Sequence, residues 1–255
     1  MSSYTDSLSN GPILTLRGIG KSYGAVNAVA DVDLDVMRGE VLAICGDNGA
    51  GKSSLIKIIS GAEEPTAGRM WLNGREVYFL SPADALEQGV ATIYQDLALA
   101  PRLTIMQNVF LGSEHTRTLL GPFIRVLDKR RMADEASGFV QRLNPSLTDM
   151  GRAVQSLSGG QRQAVAIARA LRWNASVIIM DEPTAALGVK ETAQVLDLVR
   201  RLKDEGRTVI LISHSMRDVI ALADRAIIMS SGIKFADMPL AHMTAEQLSQ
   251  RVMGS

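Results

Sequence analysis

Three short stretches carry residue types that can act together on a polyphosphate. Gly46-Asp47-Asn48-Gly49-Ala50-Gly51-Lys52-Ser53 matches the pattern G-x-x-x-x-G-K-S/T in full. In such a loop the backbone N–H groups and the positive end of the following helix converge on one small concavity, which suits an anion. Lys52 adds a point charge near the β and γ phosphates, the Ser53 hydroxyl can ligand Mg²⁺, and Ser54 continues the helix start. The second stretch, Asp181-Glu182, ends the apolar run Val177-Ile178-Ile179-Met180. An acid at its first position can hold a divalent ion, usually through water, and one at its second can orient and deprotonate an attacking water. The third, Leu157-Ser158-Gly159-Gly160-Gln161, opens another glycine-rich helix, with Ser158 placed as N-cap and first-turn N–H groups forming a second anion site. The chain thus offers two phosphate cradles but one lysine. Either it binds two anions separately, or the second cradle closes over a nucleotide held by another copy.

These groups need a rigid frame, and the apolar pattern supplies one. Val41 to Cys45 reads as a buried strand leading into the loop, and Ser54 to Ile59 as a helix ended by Gly61. Val32, Leu34 and Val36 alternate with Asp31, Asp33 and Asp35, the period of a half-buried antiparallel strand. Asn73-Gly74 between apolar runs predicts a hairpin. Continuous apolar runs at 177–180, 208–212 and 226–229 suit strands covered on both faces. Val195, Leu198, Val199 and Leu202 give an intervening helix its apolar stripe. Residues after Gly232 suggest one more short strand and a final helix near Ala245 to Val252. From about residue 97 to 157 the pattern turns helical, with breaks at Pro101, Gly112, Gly121-Pro122 and Asn144-Pro145. The expected fold is α/β: a P-loop NTPase core with a mostly parallel sheet, an N-terminal antiparallel β subdomain and a helical subdomain inserted at about 97–157. Residues 1–12 read as a flexible leader, and 13–255 as one domain built around the phosphate loop.

Bulk properties bound the reading without deciding it. At 255 residues and 46% hydrophobic content the chain can bury a full core. Lys+Arg and Asp+Glu balance at 27 each, so the overall charge calls for neither nucleic acid nor an anionic surface. The lone cysteine, Cys45, excludes an intrachain disulfide, fits a reducing compartment and reads as a small core residue. The first residues carry no export signal, and no apolar stretch approaches the roughly 18 to 20 residues that span a bilayer.

Taken together and in this order, the motifs over about residues 13 to 235 resemble the nucleotide-binding subunit of ATP-binding cassette (ABC) transporters, for which Leu-Ser-Gly-Gly-Gln is the signature. The resemblance implies ATP and Mg²⁺ as ligands and transport-coupled ATP hydrolysis as the activity. It implies that Tyr23 stacks on adenine and that Gly46 to Ser54 hold the phosphates. Ser53, Gln95 and Asp181 form the Mg²⁺ environment, Glu182 is the general base, and His214 contacts the γ-phosphate. It also implies a head-to-tail dimer in which Ser158, Gly159, Gly160 and Gln161 cover the ATP of the other copy. One departure stands out: after Glu182-Pro183-Thr184 most of the family reads Ser-Ala-Leu-Asp, whereas this chain reads Ala185-Ala186-Leu187-Gly188. That variant, with Tyr94 to Leu99 and Ser158 to Arg169, is similar to the ribose, xylose and fructose class of importers in its single-cassette form. The expectation is an ATPase on the cytoplasmic face of the membrane, bound to transmembrane permease subunits, fed indirectly by an external sugar-binding protein and not acting on nucleic acid. The competing readings are a non-sugar ABC transporter and a soluble ABC ATPase acting on nucleic acid or ribosomes.

Overall fold

A computed structural model describes residues 11–120, 124–185 and 187–254. Residues 1–10 of the expected leader, the Gly121-Pro122 break and Ala186 lie outside the described residues. The chain divides into two compact units, one of 1–95, 175–183 and 199–255, the other of 96–174 and 184–198.

Among the described residues the first unit holds two sheets. One is antiparallel, in the order β2 (Val26–Met37), β1 (Pro12–Tyr23), β4 (Ala67–Leu72), β5 (Arg75–Val77). Its strand β1 begins at Pro12, one residue inside the expected leader. The Asn73-Gly74 turn joins β4 to β5 with both residues at positive φ, 53° and 74°, the geometry that matches a hairpin to strand twist. The second sheet runs β12 (Ile233–Pro239), β11 (Arg225–Ser230), β3 (Val41–Cys45), β10 (Thr208–Ile212), β9 (Val177–Asp181), β6 (Val90–Ile93). All neighbours in it are parallel except the edge strand β12.

Both faces of this sheet are covered, which explains the unbroken apolar runs. Leu42 and Ile44 of β3 join a core with α1 (Lys52–Ile59) and the antiparallel sheet, while Ala43 and Cys45 join another with Val219 of α7 (Met216–Leu222) and Leu248 and Val252 of α8 (Ala245–Met253). Cys45 is fully buried, and desolvation pushes its thiol up to about 11, so it packs as an inert apolar group. In the parallel sheet the phosphate-loop strand β3 lies beside β10, which in turn lies beside β9. Parallel pairing brings the C-terminal ends of these three strands to one edge, where ligands bind in such sheets.

In the second unit, α3 (Ile105–Phe110), α4 (Lys129–Leu143) and α5 (Gly159–Arg172) pack on one another. This unit reaches further than the expected 97–157 insert, taking in α5 and the first half of α6 (Val189–Asp204). It also contains an antiparallel ribbon, β7 (Thr116–Leu120) with β8 (Ile124–Leu127), which the helical pattern did not suggest. Buried Asn108 organises the loop before α3. Its side-chain oxygen accepts from the Ala100 N–H, and its amide donates to the carbonyls of Ala100, Leu103 and Thr104.

Candidate functional site

Strand β3 turns into α1 through a loop whose shape is fixed by neighbouring backbone. Gly46 has φ 144°, and a Cβ there would lie 2.2 Å from the Met229 carbonyl oxygen; Gly51 has φ 97°, and its Cβ would lie 2.3 Å from that of Ala28. No other residue type fits either place. The far side of the loop is held in turn, since the Gly232 N–H donates to the Ala50 carbonyl and the Ala30 N–H to the Gly232 carbonyl. The buried Lys52 ammonium donates to the carbonyls of Gly46 and Asp47 at 2.7 and 2.8 Å, so the charge is placed over the loop. Desolvation lowers its pKa, opposed by Glu182, Asp47 and Asp181.

A cleft of about 400 Å³ opens above this loop, lined by Asn48 to Ser54 together with Gln95, Asp181, Glu182 and His214. Asp181 closes β9 and Gln95 follows β6, so the predicted acid, amide, lysine and histidine converge from strand ends far apart in sequence. Glu182 has φ 51°, an uncommon conformation for a non-glycine residue, held by its N–H donating to the Ile212 carbonyl at 2.9 Å. His214 brackets its carboxylate: the backbone N–H reaches toward Oε2 at 3.5 Å and Nε2 stands 3.4 Å from Oε1. Oε1 is nevertheless buried without a hydrogen-bond donor aligned on it. Burial raises the carboxyl pKa of both Asp181 and Glu182, with Lys52 and His214 pulling the other way. A carboxylate lining the cleft with one oxygen lacking a hydrogen-bond donor has spare capacity to accept a proton. The oxygen donors of Ser53, Gln95 and Asp181 in the same cleft suit a hard divalent cation.

Tyr23 is placed differently. It is exposed at the end of β1 and is not among the residues lining the cleft; its hydroxyl donates to the Glu63 carboxylate, and Lys21 Nζ lies 5.3 Å from the ring centroid. Gly46 and Asp47 support the cleft through their carbonyls rather than lining it. Sequence reasoning missed Ala28 and Gly232, which fix the loop from β2 and from the turn after β11; a glycine in Ser230-Ser231-Gly232 was the available signal.

The second cradle lies in the second unit. Ser158 caps α5 as predicted, its hydroxyl accepting from the Gln161 N–H while Gln161 Oε1 accepts from the Ser158 N–H. Gln161 therefore completes a capping box. The Gly159 and Gly160 amides remain first-turn groups without an intrahelical acceptor. Both glycines are pressed by the segment that opens α6: a Cβ on Gly159 would meet Leu187 Cδ2 at 2.5 Å, and one on Gly160 would meet Gln194 Oε1 at 2.5 Å.

Comparison with known proteins gives this geometry a family. The family model described as ABC transporter matches residues 29–185. The chain is 48% identical to the fructose import ATP-binding protein FrcA of Rhizobium meliloti, over 84% of this chain and 83% of that protein. It is 46% identical to the xylose/arabinose import ATP-binding protein XylG of Sulfolobus acidocaldarius, over 86% and 85%. Against a ribose import ATP-binding protein of Rubrobacter xylanophilus the identity is 40% over 95% of this chain, which spans 48% of that longer relative. Among solved structures, a nucleotide-free ATP-binding cassette from an ABC transporter superposes with a TM-score of 0.80 at 26% identity, covering 96% of each chain. The dimeric post-hydrolysis state of the cassette MJ0796, bound to ADP and Pi, gives 0.72 at 26%, covering 89% of this chain and 98% of that one. The motifs, the fold and these likenesses agree: the chain belongs to the ABC transporter family and is one of its ATP-hydrolysing cassettes.

Proposed function

We propose that this ATPase powers uptake of a monosaccharide of the ribose, xylose or fructose kind, in an importer built with two copies of the chain. The observation that carries the catalytic half is the convergence of Lys52, Asp181, Glu182, Gln95 and His214 on one cleft above the phosphate loop. The sugar half is supported by the identity to fructose and xylose/arabinose import proteins over most of both chains.

In the proposed mechanism, amides of Asn48 to Ser54 and the Lys52 ammonium hold the β and γ phosphates and stabilise the charge that develops on transfer. Ser53, Gln95 and Asp181 would hold Mg²⁺, which when bound would supply Lewis-acid neutralisation of the phosphate oxygens. Glu182 orients the attacking water and accepts its proton, and His214 faces the γ-phosphate while restraining the Glu182 carboxylate. Tyr23 stacks on adenine once its ring turns from Glu63 toward the nucleotide. Ser158, Gly159 and Gly160 of a second copy, with Gln161 bracing their helix start, complete the site around that ATP. Binding then draws two copies together and hydrolysis releases them, which couples chemistry to motion in attached permease subunits. Among the described residues no helix is long and apolar enough to cross a membrane. We place the protein peripherally, on the cytoplasmic face, beside a permease served by an external sugar-binding protein.

Glu182→Gln tests the catalytic half. Loss of a general base is worth about 10²- to 10⁴-fold in turnover, so steady-state hydrolysis should fall by that factor while ATP binding and a nucleotide-locked dimer persist. Undiminished hydrolysis would remove Glu182 from this role. For the sugar half, the cassette reconstituted with its genomic neighbour permease and binding protein should accumulate one of labelled fructose, xylose or ribose only when ATP is present. Uptake of none of them would overturn the substrate assignment.

A further inference from the structure

Gln95 is the last residue of the first compact unit and Asp96 opens the second, so the chain passes from one to the other directly after an amide that lines the cleft. What grips the chain there is a side chain from far along the sequence. Half-buried Arg169, in α5, donates from Nη1 to the Ala98 carbonyl at 2.9 Å and from Nη2 to the Leu97 carbonyl at 3.1 Å. Ala98 sits at φ 48°, in the left-handed region, where successive carbonyls point to one side instead of alternating as in a strand; one planar fork can therefore take both. The Ala98 N–H donates to Asp96 Oδ1 at 3.2 Å, which closes the turn. Among the described residues no carboxylate pairs with Arg169, and burial pulls its pKa down. Its charge is met by these two main-chain oxygens. The next main-chain hydrogen bonds along the segment, among the described residues, are those of Ala100 with Asn108. With Arg169 in place only Asp96 separates Gln95 from a gripped residue; without it the free stretch extends to Leu99.

We propose that Arg169 is a positioning residue for ATP hydrolysis: by fastening Leu97 and Ala98 to α5 it shortens the free chain after Gln95 and so restrains the Gln95 amide at the cleft. The consequence for catalysis rests on the role proposed above for Gln95; the grip on Leu97 and Ala98 does not. Each backbone residue left unfixed samples more conformations, so releasing Leu97 to Leu99 spreads the amide over more positions. An amide that must meet a cation and its water is effective only over a narrow range of positions. The loss therefore falls on turnover rather than on ATP affinity, which the phosphate loop and Lys52 supply from residues that Arg169 does not touch. Geometry also ranks the replacements. Lysine keeps the charge but lacks the fork that spans two carbonyls, so it restores part of the grip, and alanine restores none.

Arg169→Ala and Arg169→Lys, each made in the parent and in Gln95→Ala, test this. In the parent, kcat should fall about tenfold in Arg169→Ala and about threefold in Arg169→Lys, with the KM for ATP changed less than about twofold. In Gln95→Ala the same changes should alter kcat by less than about twofold, because the group they position is gone. A residue that only supported the fold would cost the same factor in both backgrounds. Equal factors would therefore overturn the proposal, as would a parental kcat in Arg169→Ala. Arg169→Lys carries the same comparison if the alanine variant fails to fold. Amide hydrogen exchange in the nucleotide-free protein tests the grip alone: exchange at Ala98 should accelerate about fivefold in Arg169→Ala, while Ala100, held by Asn108, stays near its parent rate. Unchanged exchange at Ala98 would overturn the grip, and equal acceleration at both amides would mark a general loosening and overturn it too. If Gln95→Ala hydrolyses ATP like the parent, the role of Gln95 falls and its positioning with it, while exchange at Ala98 still decides whether the grip exists.

Discussion

Both proposed phosphate cradles set glycines at the start of a helix, yet what crowds the glycines differs. Around Gly46 and Gly51 it is main-chain carbonyls of Met229 and Ala28, and both glycines sit at positive φ. Around Gly159 and Gly160 it is the tips of Leu187 and Gln194, with no positive φ. A carbonyl fixed by a sheet or turn cannot retreat, whereas a side-chain tip can rotate away at small cost. The first cradle is therefore set before any ligand arrives, and Lys52 is already held over it by the carbonyls of Gly46 and Asp47. The second is adjustable, because its shape depends on how α6 lies against α5.

The sharpest way to break this comparison is to add one methyl group to each cradle. Gly51→Ala combines a left-handed backbone with a backbone clash, about 2–5 kcal/mol of destabilisation in all. Its thermal midpoint should drop by many degrees and ATP binding should be lost. Gly160→Ala meets the Gln194 side chain first, so about 1–3 kcal/mol is expected, and adding Gln194→Ala should recover most of it. A single side-chain substitution that rescued Gly51→Ala equally well would erase the distinction between the two sites.

The smallest expected effect concerns pH and the first cradle alone. Burial raises the Glu182 carboxyl above the ordinary glutamate range. The group must be ionised to accept a proton, so the acid limb of the kcat profile should lie above the ordinary carboxylate region and vanish in Glu182→Gln. The sign for folding is opposite. Asp181 and Glu182 bind protons more tightly folded than unfolded, so the nucleotide-free protein should lose stability as pH rises from the ordinary carboxylate pKa through their raised values. Thermal midpoints of the apoprotein across that window, compared with Asp181→Asn and Glu182→Gln, check the direction. A parent whose midpoint rises over the window relative to those variants would contradict it.

Much of the first unit was legible from local pattern. The runs that became β3, β9, β10 and β11 are continuous because both faces of their sheet are covered, and a strand buried on two sides needs no polar alternation. Asn73-Gly74 announced its hairpin through the positive φ that both residues tolerate. The second unit was less legible. Its β7–β8 ribbon carries little alternation, since most of the described residues in it face solvent. The 97–157 boundary followed composition, whereas the compact unit follows contacts that recruit α5 and the start of α6 from later in the chain.

By itself the sequence determined which chemical groups exist and the strands and helices that carry them: a lysine after a glycine loop, two acids ending an apolar run, a serine that caps a helix. Those are local facts, governed by residue type and by periods of a few residues. Tertiary structure alone decided that the Ala28 carbonyl forbids a side chain at Gly51, and that Tyr23 hydrogen-bonds Glu63 outside the cleft lining. It also decided that Leu187 crowds Gly159 and Gln194 crowds Gly160. Excluded volume and hydrogen-bond partnership depend on atoms brought together by folding, and no spacing along the chain encodes them.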